Sequence, residues 1–129
     1  MIVVDAAAMV DALTMAPAAE AVHARMAAED LHSPHLIDFE VVSGLRGLVL
    51  GRSLSAARAQ DALIDFDDLP LTRWPAAGAL RRRAFALRHN LSAYDAAYVA
   101  LAEALGCPLL TRDARIARAT GHTALVEVL

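Results

Sequence analysis

The sequence predicts an α/β fold, a three-layer α/β/α sandwich around a short, mostly parallel sheet. Three observations point to it. Short apolar runs rich in β-branched residues alternate with longer stretches of helical apolar spacing. Two of those runs, Met1 to Val4 and Cys107 to Leu110, are apolar throughout, and the first has the pattern of a strand covered on both faces. The 129 residues are 57% hydrophobic, and after 30 alanines are set aside enough large side chains remain for one core, so a single domain spanning 1–129 is expected.

The elements follow in order. Met1 to Val4 reads as a strand that stops at Asp5, and helices are expected over about Ala7 to Leu13 and Pro17 to Glu29, the second opened by a proline suited to a first helical turn. Leu31 to Ser33 is a candidate second strand. From His35 to Leu50 the stripe Val41, Leu45, Leu48 is helical, with Gly51 as its stop. Ser53 is expected to cap a helix from Leu54 to about Phe66. Asp67, Asp68 and Pro70 then punctuate the chain, Leu69 to Thr72 reads as a third strand, and Pro75 precedes a helix reaching about Arg88. Ser92 opens Ala93 to Leu105, a helix apolar nearly all round that ends at Gly106 and Pro108. Cys107 to Leu110, Ala114 to Thr120 and Leu125 to Val128 complete the series as strand, helix and strand.

Composition excludes several chemistries. All 12 basic residues are arginine, so a Walker A loop, a pyridoxal Schiff base and a lysine-dependent phosphoryl switch are ruled out. Cys107 is the single cysteine and fits a buried hydrophobe in a reducing cytoplasm, the expected location, with no disulfide and no cysteine zinc cluster. No targeting or spanning segment is expected. The net charge of −3 argues against nonspecific coating of nucleic acid, and the run Arg81, Arg82, Arg83 reads as a solvated helix face. Trp74, Tyr94 and Tyr98 read as core rather than base-stacking platforms, and His89 as a histidine at a helix end.

Four acids stand in apolar context: Asp5, Glu40, Asp95 and Asp113. Asp5 and Asp113 each follow an apolar strand, where α/β folds bind ligands, although each also suits a helix N-cap. Ser43, Gly44 and Gly47 share the Glu40 face of its helix, which means either room for an ion or close helix packing. Ser92 and Asp95 match a capping box. Carboxylates gathered in one crevice repel one another unless a cation intervenes, and an all-oxygen set suits Mg²⁺ or Mn²⁺ better than zinc.

The blocks VVDA, FEV and SAYDAAYVALAEALGCPLLTRD, in that order, resemble the PIN-domain family, and the chain's length resembles the VapC-type ribonuclease toxins of bacterial toxin–antitoxin pairs. The resemblance implies a PIN-like fold and metal-binding, catalytic acids at Asp5, Glu40, Asp95 and Asp113. It implies a supporting hydroxyl at Thr111. Arg112 and Arg115, beside the last acid, are candidates for phosphate contact. The family often carries Ser, Thr or Asn where this chain has Ala7, and Asn where it has Ser43. The implied chemistry is hydrolysis of RNA by metal-activated water, leaving a 5′-phosphate and a 3′-hydroxyl. The implied partners are RNA, a cognate antitoxin and a second copy in a homodimer. A mean hydropathy of +0.42 agrees with an apolar surface that meets another protein. The competing reading is a noncatalytic module that keeps the acids as caps. A phosphoaspartate receiver would need a lysine and a second acid where Ala7 stands.

Overall fold

The hydrogen bonds of the sheet explain why the short apolar runs hold as strands. In the computed structural model, which describes residues 1–17 and 19–129, five strands pair in parallel in the order β3-β2-β1-β4-β5. They are β1 (Ile2–Val4), β2 (Leu31–Pro34), β3 (Leu71–Trp74), β4 (Leu109–Thr111) and β5 (Val126–Val128). Every neighbouring pair is parallel, so the expected mostly parallel sheet is parallel throughout. Ile2, Val3, Val4, Leu109 and Leu110 are fully buried, as strands covered on both faces require.

The helices are α1 (Ala6–Thr14), α2 (Ala19–Ala27), α3 (Ile37–Leu50), α4 (Ala56–Asp68), α5 (Gly78–Ala86), α6 (Ala93–Leu105) and α7 (Ala114–Arg118). The sheet lies between layers of them: α1 packs on α2, α3 and α4, while α5 packs on α6 and α6 on β1 and β2. The expected helix from Pro17 includes Ala18, which lies outside the described residues.

Local chemistry sets the ends. The Asp5, Ser55, Ser92 and Asp113 side chains each accept a backbone N–H at a helix start. Ser55, not Ser53, caps α4, because the backbone of Leu48 receives the Ser53 and Leu54 N–H groups and the turn after α3 runs on past Ser53. Gly106 closes α6 at φ 62°, a left-handed conformation that glycine takes without steric cost. β3 and β4 begin two residues later than the sequence suggests. At β4 the first residues of the apolar run are spent leaving α6, where the Cys107 N–H bonds to the Ala102 carbonyl.

The topology positions the site. The chain leaves β1 toward β2 on one side and returns to β4 on the other, so the strand order reverses at β1. At such a reversal the connections after adjacent strands diverge and open a crevice beyond their carboxyl ends. Asp5 follows β1 and Asp113 follows β4 by two residues, one on each strand of that pair. Among the described residues no helix is long and apolar enough to cross a membrane.

Candidate active site

Asp5 is buried at the mouth of the crevice, and both of its oxygens are held. Oδ1 accepts the Ala8 N–H at 2.8 Å, and Oδ2 accepts a short hydrogen bond from the Thr111 hydroxyl. Thr111 is fully buried, and its Oγ1 in turn accepts the Asp113 N–H at 2.9 Å. One hydroxyl therefore ties the end of β1 to the turn after β4 and fixes the Asp5 carboxylate in one orientation. The cap expected from sequence and the site position coincide in Asp5.

Glu40 lies in the first turn of α3, half-buried, with Oε1 out of water and without a hydrogen-bond partner among the described residues. Its neighbour is the buried phenol of Tyr98 on α6, close by but without an aligned hydrogen bond. Burial, then the charges of Asp95 and Asp5, push the Glu40 carboxyl above its ordinary range. Burial likewise raises Asp5; the bonds from Ala8 and Thr111 oppose this, and Asp95 and Asp113 add to it. The Tyr98 phenol is pushed far up by burial and by Glu40 and Asp5. Asp95 stands in the first turn of α6, where its N–H donates to the Ser92 hydroxyl. Asp5, Glu40 and Asp95 thus feel one another's charge.

Asp113 differs. Its carboxylate caps α7 and receives the Arg115 guanidinium, with Nη2 to Oδ2 at 2.7 Å and Nε to Oδ1 at 3.0 Å. Arg115 holds it below the usual carboxylate range. In kind the donors fit a hard divalent cation: all are oxygens, they repel one another, and one is buried without a partner. They are not gathered into a shell, since among the described residues no three acidic, histidine or cysteine side chains stand close enough to hold an ion.

Beside Glu40 runs a groove of about 350 Å³ lined by Ala6, Ala7, Val10, Asp11, Gly44, Leu48 and Arg112. The glycine stripe divides: a Cβ on Gly44 would lie 2.9 Å from Val10 Cγ2, so α1 and α3 touch there, whereas Gly47 faces open space. The sequence reading missed Asp11, which is only 6% exposed on an otherwise apolar helix and binds Arg112, Nε to Oδ2 at 2.6 Å and Nη1 to Oδ1 at 3.0 Å. Apolar context, the signal that singles out the other four acids, marks Asp11 as well. Tyr98 is core, as expected, yet its hydroxyl end belongs to the site. Trp74 is half-buried with its Nε1 donating to His32 Nδ1, while Tyr94 and His89 are exposed. Within the arginine run, Arg83 departs from the solvated reading by clasping Glu103 from α5 to α6.

Fold and site together define a parallel α/β protein with acids on both sides of the reversal crevice. The chain belongs to the PIN-domain family, whose model matches residues 2–121. It is 40% identical to ribonuclease VapC12 of Mycobacterium tuberculosis over 129 residues, covering 100% of this chain and 99% of that protein. It is 50% identical to ribonuclease VapC9 of the same organism over 116 residues, covering 90% and 88%. Among solved structures, VapBC2 from Rickettsia felis bound to a promoter DNA fragment superposes with a TM-score of 0.71 at 16% identity, covering 99% of this chain and 98% of that one. FitAcB from Neisseria gonorrhoeae gives 0.61 at 16% identity, with 98% and 96% covered. These two likenesses are of fold.

Proposed function

We propose that this protein is a Mg²⁺- or Mn²⁺-dependent endoribonuclease and the toxin of a toxin–antitoxin pair. The observation that carries the reading is the buried, partnerless oxygen of Glu40 set among Asp5 and Asp95 at the reversal crevice. Kinship to proteins named ribonuclease VapC supports it. Asp5, Glu40, Asp95 and Asp113 are the ligands assigned to the ion. When bound, it supplies a charge that steadies the scissile phosphate and leaving oxygen and makes water a nucleophile at neutral pH.

The chain's own residues prepare that chemistry. Thr111 and the Ala8 N–H hold the Asp5 carboxylate in one orientation. Tyr98 walls off the back of Glu40 and keeps bulk water from it. Arg115 balances the charge of Asp113 at the start of α7. With water as the attacking group, the products carry a 5′-phosphate and a 3′-hydroxyl. The proposed partners are RNA, an antitoxin that sets a basic side chain against the acids, and a second copy of the chain. The proposed place of action is the cytoplasm.

The test is cleavage of total RNA by the purified chain with Mg²⁺ or Mn²⁺. EDTA is expected to abolish cutting, and Asp5→Asn and Asp95→Asn each to lower it beyond the about 10–100-fold cost of changing a residue behind a metal ligand. Thr111→Val belongs within that lower range. Equal cutting by the Asp variants removes the site, and absence of cutting by every form leaves the noncatalytic module.

A further inference from the structure

We propose that Asp11 is a positioning residue for RNA: it holds the Arg112 guanidinium on the wall of the groove beside Glu40, where that cation takes a phosphate of the strand next to the linkage being cut. The proposal rests on the ribonuclease reading and adds to it a fixed register for the strand.

Arg112 is anchored at both ends. Its backbone lies between Thr111, which bonds Asp5, and Asp113, whose N–H bonds Thr111. Its head spans to α1, where Nη1 donates to Asp11 Oδ1 at 3.0 Å and Nε stands 2.6 Å from Oδ2 as an ion-pair contact not aligned as a hydrogen bond. A long side chain held this way gives up little further freedom when it binds an anion. Nη2 and the second Nη1 proton have no partner among the described residues, and the side chain is about half exposed. Asp11 is buried, so the groove meets the positive end of the pair. The groove that Arg112 and Glu40 share is also lined by Ala6, Ala7 and Gly44, residues with little or no side chain to fill it.

Arg118, whose charge also reaches Asp113, does not line this groove, and two further arginines are engaged elsewhere. Arg115 is spent on Asp113, and Arg73 pairs with Asp38. A polyanion approaching a chain of net charge −3 needs a local cation to settle it beside carboxylates. Arg112 is the arginine that lines the groove with Glu40.

The experiment measures binding of a labelled single-stranded RNA of mixed sequence, with Mg²⁺ present, in an Asp95→Asn background that prevents cutting. Arg112→Gln is expected to weaken binding about tenfold and to lower the slope of log affinity on log salt by about one. Asp11→Asn is expected to weaken it by a similar factor, although it removes a negative charge. The double variant is expected to bind no worse than Arg112→Gln alone, and Arg112→Lys to recover part of the loss. In the otherwise unaltered chain, the same changes are expected to raise KM for RNA cleavage and leave kcat within about twofold.

Tighter or unchanged binding by Asp11→Asn would show a purely electrostatic role and overturn the proposal. So would an Asp11→Asn loss that is undiminished in the Arg112→Gln background, since that marks a structural effect. If the unaltered chain neither binds nor cuts RNA, the ribonuclease reading fails and this inference with it. If it cuts RNA and both variants keep the parent KM, this inference alone fails.

Discussion

At Glu40 and Asp5 burial works against ionisation, and the sign of the consequence is fixed. Both carboxyls bind their protons more tightly in the folded chain than in the unfolded one. Their contribution to stability is therefore complete below the unfolded pKa and lost as pH rises through the folded pKa. Without divalent ions the protein is expected to lose stability as pH climbs out of the carboxylate range. Glu40→Gln removes the buried charge and is expected to raise the neutral-pH melting temperature in EDTA by about 3–5 °C, roughly 1 kcal/mol. Added Mg²⁺ is expected to raise the unaltered chain and not the variant. Equal melting of the two forms in EDTA at pH 7 sinks this account of Glu40. The positions of these acids were readable from their apolar context. The Asp11–Arg112 pair was not, because a side chain's partner across the fold leaves no periodic trace in sequence, whereas Arg115, two residues from Asp113, stood in plain view but could equally be read as facing a phosphate.

Helix α6 shows how far local chemistry specifies an element. Ser92 at its start, Gly106 at its end and the apolar run between fix Ala93–Leu105, the same bounds that the sequence reading gives. The start of α4 shows the limit. Ser53 and Ser55 are both good caps, and only the path of the turn after α3 decides between them. Ser55→Ala is expected to destabilise the protein by about 1 kcal/mol and Ser53→Ala by less than about half of that, measured by urea unfolding. The reverse order contradicts the capping assignment. β3 illustrates a different limit: Leu69 and Pro70 look apolar enough to begin the strand, but pairing starts at Leu31 with Leu71, and the register is a property of two strands together.

The alternation of strands and helices was enough to predict a parallel sheet between helical layers, yet it does not contain the order in which strands lie. β1 at the centre, with β2 and β4 beside it, places Asp5 and the Thr111–Asp113 turn next to each other, a neighbourhood that no local pattern in the sequence contains. The same arrangement leaves an apolar groove of about 530 Å³ between α5 and α6, with Trp74, Leu80, Ala84 and Leu91 in its lining and Phe85 and Tyr94 each 68% exposed at its edge. The Arg88 guanidinium lies over the Phe85 ring at 4.5 Å, which partly screens that ring without covering the groove. A groove of this kind on a small chain of high mean hydropathy is expected to be covered by a second copy, each presenting the same face to the other. Sedimentation equilibrium is expected to report a dimer for the unaltered chain and a monomer for Phe85→Glu. The melting curve of the Phe85→Glu monomer is expected to stay close to that of the unaltered chain at low concentration, because the Phe85 ring is largely outside the core. A monomeric parent, or a dimer indifferent to Phe85→Glu, places the self-contact elsewhere or removes it.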